Sequence, residues 1–185
     1  MQTATINKQK RWTTSHRPHL TEQSQPRVRA RLQLVLASRR DYPAVASLFQ
    51  ALHTYNTSLD QHFALAENWE GLLREHFYHT YQRSNSLWLL AKKNGQAIGL
   101  LIASVHSDSP IFHYNHWVEI EALYIAPAYQ GQGIAQRLMA QAYTWARERG
   151  ANRIQLYVTA TNVKARTFYA QQGFVVSQEI QRKSL

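Results

Sequence analysis

Residues 117–146 read WVEIEALYIAP, AYQGQGIA and QRLMAQAYTWA, and they decide the fold. The order is strand, tight turn, helix. Val118, Ile120, Ala122 and Tyr124 alternate with Glu119, Glu121, Leu123 and Ile125, a β-branched and aromatic pattern suited to a buried strand. Pro127 has no N–H for a sheet ladder, so the strand is expected to stop at Ala126. Gln130-Gly131-Gln132-Gly133-Ile134-Ala135 follows, with glycines where a backbone turns sharply or approaches something closely. Ile134, Leu138, Ala142 and Trp145 then recur at helical spacing, and Gly150 supplies a C-terminal stop. A helix that begins directly after a glycine turn aims unpaired N–H groups and the positive end of its dipole at one point. Such a point is an anion site, with phosphate its usual occupant. Many strand–turn–helix units with two glycines bind nothing, so the rest of the chain must decide.

At 185 residues the chain suits one domain with a substantial core. Hydrophobic residues at 44% and charged residues at 17% give an ordinary globular composition. No apolar run approaches the roughly eighteen residues of a membrane span. The absence of cysteine excludes disulfides, thiolate metal sites and cysteine nucleophiles. The net charge of +10 invites a nucleic-acid reading, but its distribution argues against one. Lys8, Lys10, Arg11, Arg17, Arg27, Arg29 and Arg31 face only Glu22 within residues 1–31, a surplus of +6. Residues 32–185 carry the other +4, from 14 basic and 10 acidic side chains. The leader is polar and aperiodic, and is expected to be disordered rather than a transit peptide. No later helix carries a basic stripe with interleaved aromatics. Neither nucleic acid nor membrane is an expected partner, and the expected compartment is the cytoplasm.

Outward from the central unit, Leu32–Ala37 reads as a first strand, and Asp41 as the N-cap of a helix with Pro43 near its first turn. Residues 53–63 read as irregular. A second helix is expected from Trp69 to Tyr81 with Leu72, Leu73, His76 and Phe77 inward. Strands Leu87–Lys92 and Ala97–Val105 join through Asn94-Gly95, the preferred two-residue hairpin turn. Residues 107–116 form a loop. After the central unit come a strand at Arg153–Thr159, a helix at about Asn162–Gln172 and a closing strand at Phe174–Glu179. The order implies an α/β (α+β) domain built on one mixed sheet. It is not the doubly wound dinucleotide-binding fold, because only one strand–helix unit has the glycine turn and no acidic residue closes the next strand.

The segment 161–174, TNVKARTFYAQQGF, reads N-x-x-A-x-x-F-Y-x-x-x-G-F. Together with Q-G-Q-G-I-A after a strand ending in Y-I-A-P, it resembles the GNAT superfamily of acetyl-CoA-dependent N-acetyltransferases. Gln130, Gly133 and Ala135 fit that family's phosphate turn without a gap, and the element order from residue 32 to 185 matches as well. The leader, residues 1–31, stands outside the resemblance.

The resemblance implies a mostly antiparallel central sheet flanked by helices, with a splayed strand pair making a slot for acetyl-CoA. It implies that backbone N–H groups of Gly131, Gln132, Gly133, Ile134 and Ala135, with Gln130, hold the coenzyme pyrophosphate. Leu123, Tyr124 and Ile125 would pair with the pantetheine arm as a neighbouring strand does. Asn162 would hydrogen-bond that arm, and is equally suited to cap its own helix. Tyr169 falls at the general-acid position, against the alternative of a core tyrosine beside Phe168. Glu121 is the first choice for the base and Glu119 the second, and strict alternation puts both on the face of Leu123 and Ile125. The alternative for either glutamate is a salt bridge to an arginine such as Arg166.

His76 and His79 are spaced i, i+3 but lack a third ligand, so no metal is expected. The acceptor is expected to be a small-molecule or protein amine, bound by residues 53–63 and 107–116. A homodimer is compatible with the family. The competing readings are an acyl-CoA sensor without turnover and a nucleic-acid binder acting through the leader.

Overall fold

The computed structural model describes residues 31–183. The basic leader therefore lies outside the described residues, apart from Arg31. Five strands form one sheet in sequence order: β1 (Leu32–Leu36), β2 (Ser86–Lys93), β3 (Gln96–Ser107), β4 (His116–Ile125) and β5 (Arg153–Leu156). The first four pair antiparallel, and β4 pairs parallel with β5. Asn94 and Gly95, at φ 52° and 81°, make the β2–β3 turn, as two positive φ values require.

The sheet separates two cores. On one face α1 (Tyr42–Leu59) and α2 (Trp69–Thr80) bury Val45, Leu48, Leu73 and Phe77 against Trp88, Leu90, Leu100 and Ile102. On the other, α3 (Ile134–Glu148) buries Leu138, Met139, Ala142 and Trp145 against Leu89, Leu101, Val118 and Ile120. Phe168 and Tyr169 of α4 (Val163–Gln171) pack on that second core. Alternate residues of β2 feed opposite cores, as period-two geometry demands of a strand buried on both faces.

Three expectations are corrected, and that for Asp41 holds in position only. Residues 53–59 are helical, the last two turns of α1, and only Gln61–Phe63 is a separate 3-10 turn. Their His, Asn and Thr content lowers propensity only slightly, and packing of the helix on the sheet outweighs it. In α2 only Leu73 and Phe77 face inward, while Leu72 and His76 are exposed. Asp41 stands at the N-cap of α1, but its carboxylate looks backward. Its Oδ2 accepts from the Ser38 N–H and O–H at 2.9 and 2.7 Å, and its Oδ1 accepts from Lys92 Nζ at 2.6 Å. Finally, residues 174–179 form no strand, and β5 ends at Leu156. Val175 and Val176 are exposed, so alternation there reflects no burial.

Candidate active site

Strands β4 and β5 part halfway along β4. Pairing runs from Trp117 with Arg153 to Ile120 with Leu156 and goes no further, so β4 from Glu121 to Ile125 has no neighbour on that edge. A cleft of about 500 Å³ opens there. Leu123, Tyr124 and Ile125 form its strand wall, Gln130, Gly131, Gly133, Ile134 and Ala135 its turn, and Asn162 and Tyr169 its far wall. Gln132 is not in the lining; its side chain donates to the Ala128 carbonyl at 3.2 Å.

The turn is built by its glycines. Gly131 and Gly133 both have φ 73°, a left-handed conformation that a Cβ would strain. A Cβ at either position would meet nothing within 4 Å, so the glycines serve the conformation and leave open space above the N-terminus of α3. Gln130 fixes the turn to the strand: its Nε2 donates to the Ile125 carbonyl at 2.8 Å, and Lys164 donates to its Oε1. The donors at a helix start, the dipole and the lysine together suit a phosphate group.

Asn162 is buried and caps α4, its Oδ1 accepting from the Ala165 N–H at 3.1 Å. The Tyr55 hydroxyl also reaches that oxygen, at 3.5 Å. This contact brings Leu52, Tyr55 and Asn56 of α1 into the cleft wall. Tyr55 and Asn56 fall within the 53–63 stretch expected to bind the acceptor, but nothing in the sequence joins them to Asn162, 107 positions from Tyr55. Tyr169 lies in the wall, with its ring edge-on to Phe168 and Phe174. Burial, with the nearby Tyr143 hydroxyl adding to it, pushes the Tyr169 phenol up to about 12, so it keeps its proton at neutral pH.

The two glutamates do not share the face of Leu123 and Ile125, and neither lines the cleft. Ile120 pairs with Ala103 and Ala122 with Ile102, leaving Glu121 as the extra residue of a β-bulge. The bulge reverses the alternation: Val118 and Ile120 join the α3 core with Leu123 and Ile125, while Ala122 joins the α1–α2 core. Glu119 consequently lies on the α1–α2 face, half-buried, and Glu121 is exposed. Burial raises the Glu119 carboxyl above its ordinary value; the His106 charge opposes this and the Glu121 charge adds to it. Arg166 bonds the Ala160 carbonyl at 3.0 Å.

The cleft thus joins a freed strand edge, a glycine-turned helix start and a neutral phenol in the facing wall. The chain belongs to the acetyltransferase (GNAT) family, whose model matches residues 46–174. That is a family of acyltransferases whose co-substrate is acetyl-CoA. The chain is 32% identical over 100 residues to an uncharacterized N-acetyltransferase of Archaeoglobus fulgidus, covering 54% of this chain and 67% of that protein. It is 34% identical over 93 residues to the aminoalkylphosphonate N-acetyltransferase of Salmonella typhimurium, covering 49% of this chain and 57% of that protein. Among solved structures, the fold is similar to a tetramutant protein from Bacillus halodurans (TM-score 0.74, 18% identity, 83% of this chain, 99% of that one). It is also similar to an aminoglycoside N-acetyltransferase, AAC(6')-Iy, solved with CoA (TM-score 0.66, 15% identity, 84% of this chain and 95% of that one). Among the described residues no helix is long and apolar enough to cross a membrane.

Proposed function

We propose that this chain is an N-acetyltransferase that moves the acetyl group of acetyl-CoA to a primary amine by direct attack. The observation that carries the reading is the place where β4 leaves β5, with the Gly131–Ala135 turn at one end and Tyr169 in the wall. The free edge at Leu123, Tyr124 and Ile125 would bond the pantetheine arm, and Gln130 through Ala135 the pyrophosphate. Asn162 already spends Oδ1 on its own helix, so only its Nδ2 is left to donate to that arm.

In the reaction, the amine nitrogen forms a bond to the thioester carbon and the C–S bond breaks. The amine gives up a proton, and the departing sulfur takes one from the Tyr169 hydroxyl. The order of preference between the glutamates is reversed: Glu119 suits the base better than Glu121. Glu119 is half-buried with a raised carboxyl, which brings its basicity toward working pH, whereas Glu121 stands in solvent at the bulge. The relatives' names motivate three acceptor probes: 2-aminoethylphosphonate, an aminoglycoside and streptothricin. Screening them for free-thiol release tests the proposal, and thiol release absent with all three and with a peptide bearing a free N-terminus would count against it. A cytoplasmic location and a homodimer belong to the same reading, to be checked by cell fractionation and by light scattering.

The second reading is a domain that binds acyl-CoA without turnover, and the exclusion of both glutamates from the cleft lining favours it. A base acting across the sheet face or through water answers that observation, and Tyr169→Phe separates the readings. It slows an enzyme and leaves a sensor unchanged.

A further inference from the structure

Two cross-strand rows run over β3, β4 and β5: His106, Trp117 and Arg153 in one, Ser104, Glu119 and Gln155 in the next. Paired residues share a face, and Val118 and Ile120, which alternate with Trp117 and Glu119, pack in the α3 core. Both rows therefore lie on the α1–α2 side of the sheet.

The His106 imidazole lies flat on Trp117, with centroids 4.5 Å apart and planes 18° apart. Trp117 is itself held. Its indole N–H donates to Asp108 at 3.1 Å, and the Arg153 guanidinium, paired with Asp108 at 2.6 Å, sits 5.3 Å from its ring centre. A ring stacked on so fixed a platform has little freedom to turn to solvent. Its Nε2 is shut away from solvent without a hydrogen-bond partner, 3.6 Å from Glu119 Oε2. A buried polar atom left unpaired calls for a reason, and a catalytic contact that tightens on substrate binding is one.

We propose that His106 is a positioning residue for the transfer reaction, its Nε2 holding the Glu119 carboxylate ready for the amine's proton. The inference rests on the reading of Glu119 as base. The proton leaves the amine nitrogen and forms an O–H bond on Glu119. The charged groups around Glu119 are His106 on β3, Glu121 on β4, Arg153 at the far end of the adjoining row on β5, and Asp108 in the β3–β4 loop. Arg153 and Asp108 neutralise each other, which leaves the His106 charge to oppose the burial of the carboxyl and the Glu121 charge to add to it.

Two variants test this. His106→Phe keeps a flat ring on Trp117 and removes the nitrogens, and His106→Gln restores a polar group. The first readout needs no acceptor: the Glu119 carboxyl is titrated by 13C NMR in full-length protein, its signal assigned by its loss in Glu119→Gln. Removing the opposing charge should raise that titration by about one pH unit in His106→Phe. The second readout is acetyl transfer to 2-aminoethylphosphonate, an aminoglycoside and a free-N-terminus peptide. In His106→Phe the acid limb of kcat/KM should move up with the NMR titration and kcat should fall about tenfold. The KM for acetyl-CoA should be unchanged, and His106→Gln should recover part of the rate. An unmoved titration and acid limb would overturn the proposal, as would an equal loss from His106→Phe in wild-type and Glu119→Gln backgrounds. Absence of transfer by the wild type with every probe would defeat the proposed function instead, and the NMR titration would still decide whether the two residues are coupled.

Discussion

Ile120 and Leu123 stand three positions apart on β4 and pack into the same core. In an undisturbed strand an odd separation puts two side chains on opposite faces. Glu121, the unpaired residue of the bulge, absorbs the difference. The parallel pairing with β5 ends at Ile120, so the bulge and the splay begin at one place. One extra residue thus marks where the strand edge becomes free and turns Glu119 to the opposite face from Leu123.

If Glu119 is the base, Glu119→Gln should lower kcat/KM for the amine at least about tenfold, and Glu121→Gln should leave it within about twofold. Steady-state kinetics on both variants decides between them. The reverse ranking would return the role to the bulge residue.

The same carboxylate should cost stability. Burial raises its folded-state value, so folding favours the protonated form, and stability falls as pH rises from the unfolded value through the raised folded one. Glu119→Gln should therefore raise Tm at about pH 8, and the gain should disappear near pH 4, below both values. Calorimetric melts at the two pH values check this.

Tyr169→Phe should lower kcat by roughly a hundredfold with little change in acetyl-CoA affinity, because the ring and its contacts remain. With the phenol pushed up to about 12, the wild-type rate should show no alkaline loss from Tyr169 below about pH 10. Full activity in the variant would make Tyr169 a core residue.

Gly99 lies against the cleft strand. A Cβ there would meet Ile125 Cδ1 at 2.7 Å, the Tyr124 carbonyl oxygen at 3.2 Å and Ala91 Cβ at 3.3 Å. Ile125 can turn aside, but the carbonyl and Ala91 can only shift with their strands. Gly99→Ala should cost about 1–3 kcal/mol in urea unfolding and weaken acetyl-CoA binding by displacing Tyr124 and Ile125. Unchanged stability and binding would show that β4 yields freely.

Much of this was legible in the sequence, for local reasons. Asn94-Gly95, Gly131 and Gly133 announced backbone conformations that other residues resist, and Ile134, Leu138, Ala142 and Trp145 marked α3 by period alone. The Asn162–Tyr169 motif brought both residues to the cleft. Non-local features stayed hidden. The strand WVEIEALYIAP can be read as simple alternation, and only its pairing with β3 shows that Glu121 is an extra residue. The reach of α1 to Asn162 and the place of His106 beside Glu119 arise only when distant strands and helices meet. Residues 174–179 had the composition of a strand but make no pairing.

The central claim is that the opening between β4 and β5 holds acetyl-CoA by way of the glycine turn. Isothermal titration of the full-length protein and of Gly133→Val with acetyl-CoA tests it most directly. A valine at φ 73° strains the turn and fills the space over the start of α3. The account predicts micromolar binding by the wild type and at least about tenfold weaker binding by the variant, some 1.4 kcal/mol or more. Equal affinity in the two proteins, or no binding by the wild type at millimolar coenzyme, would contradict it.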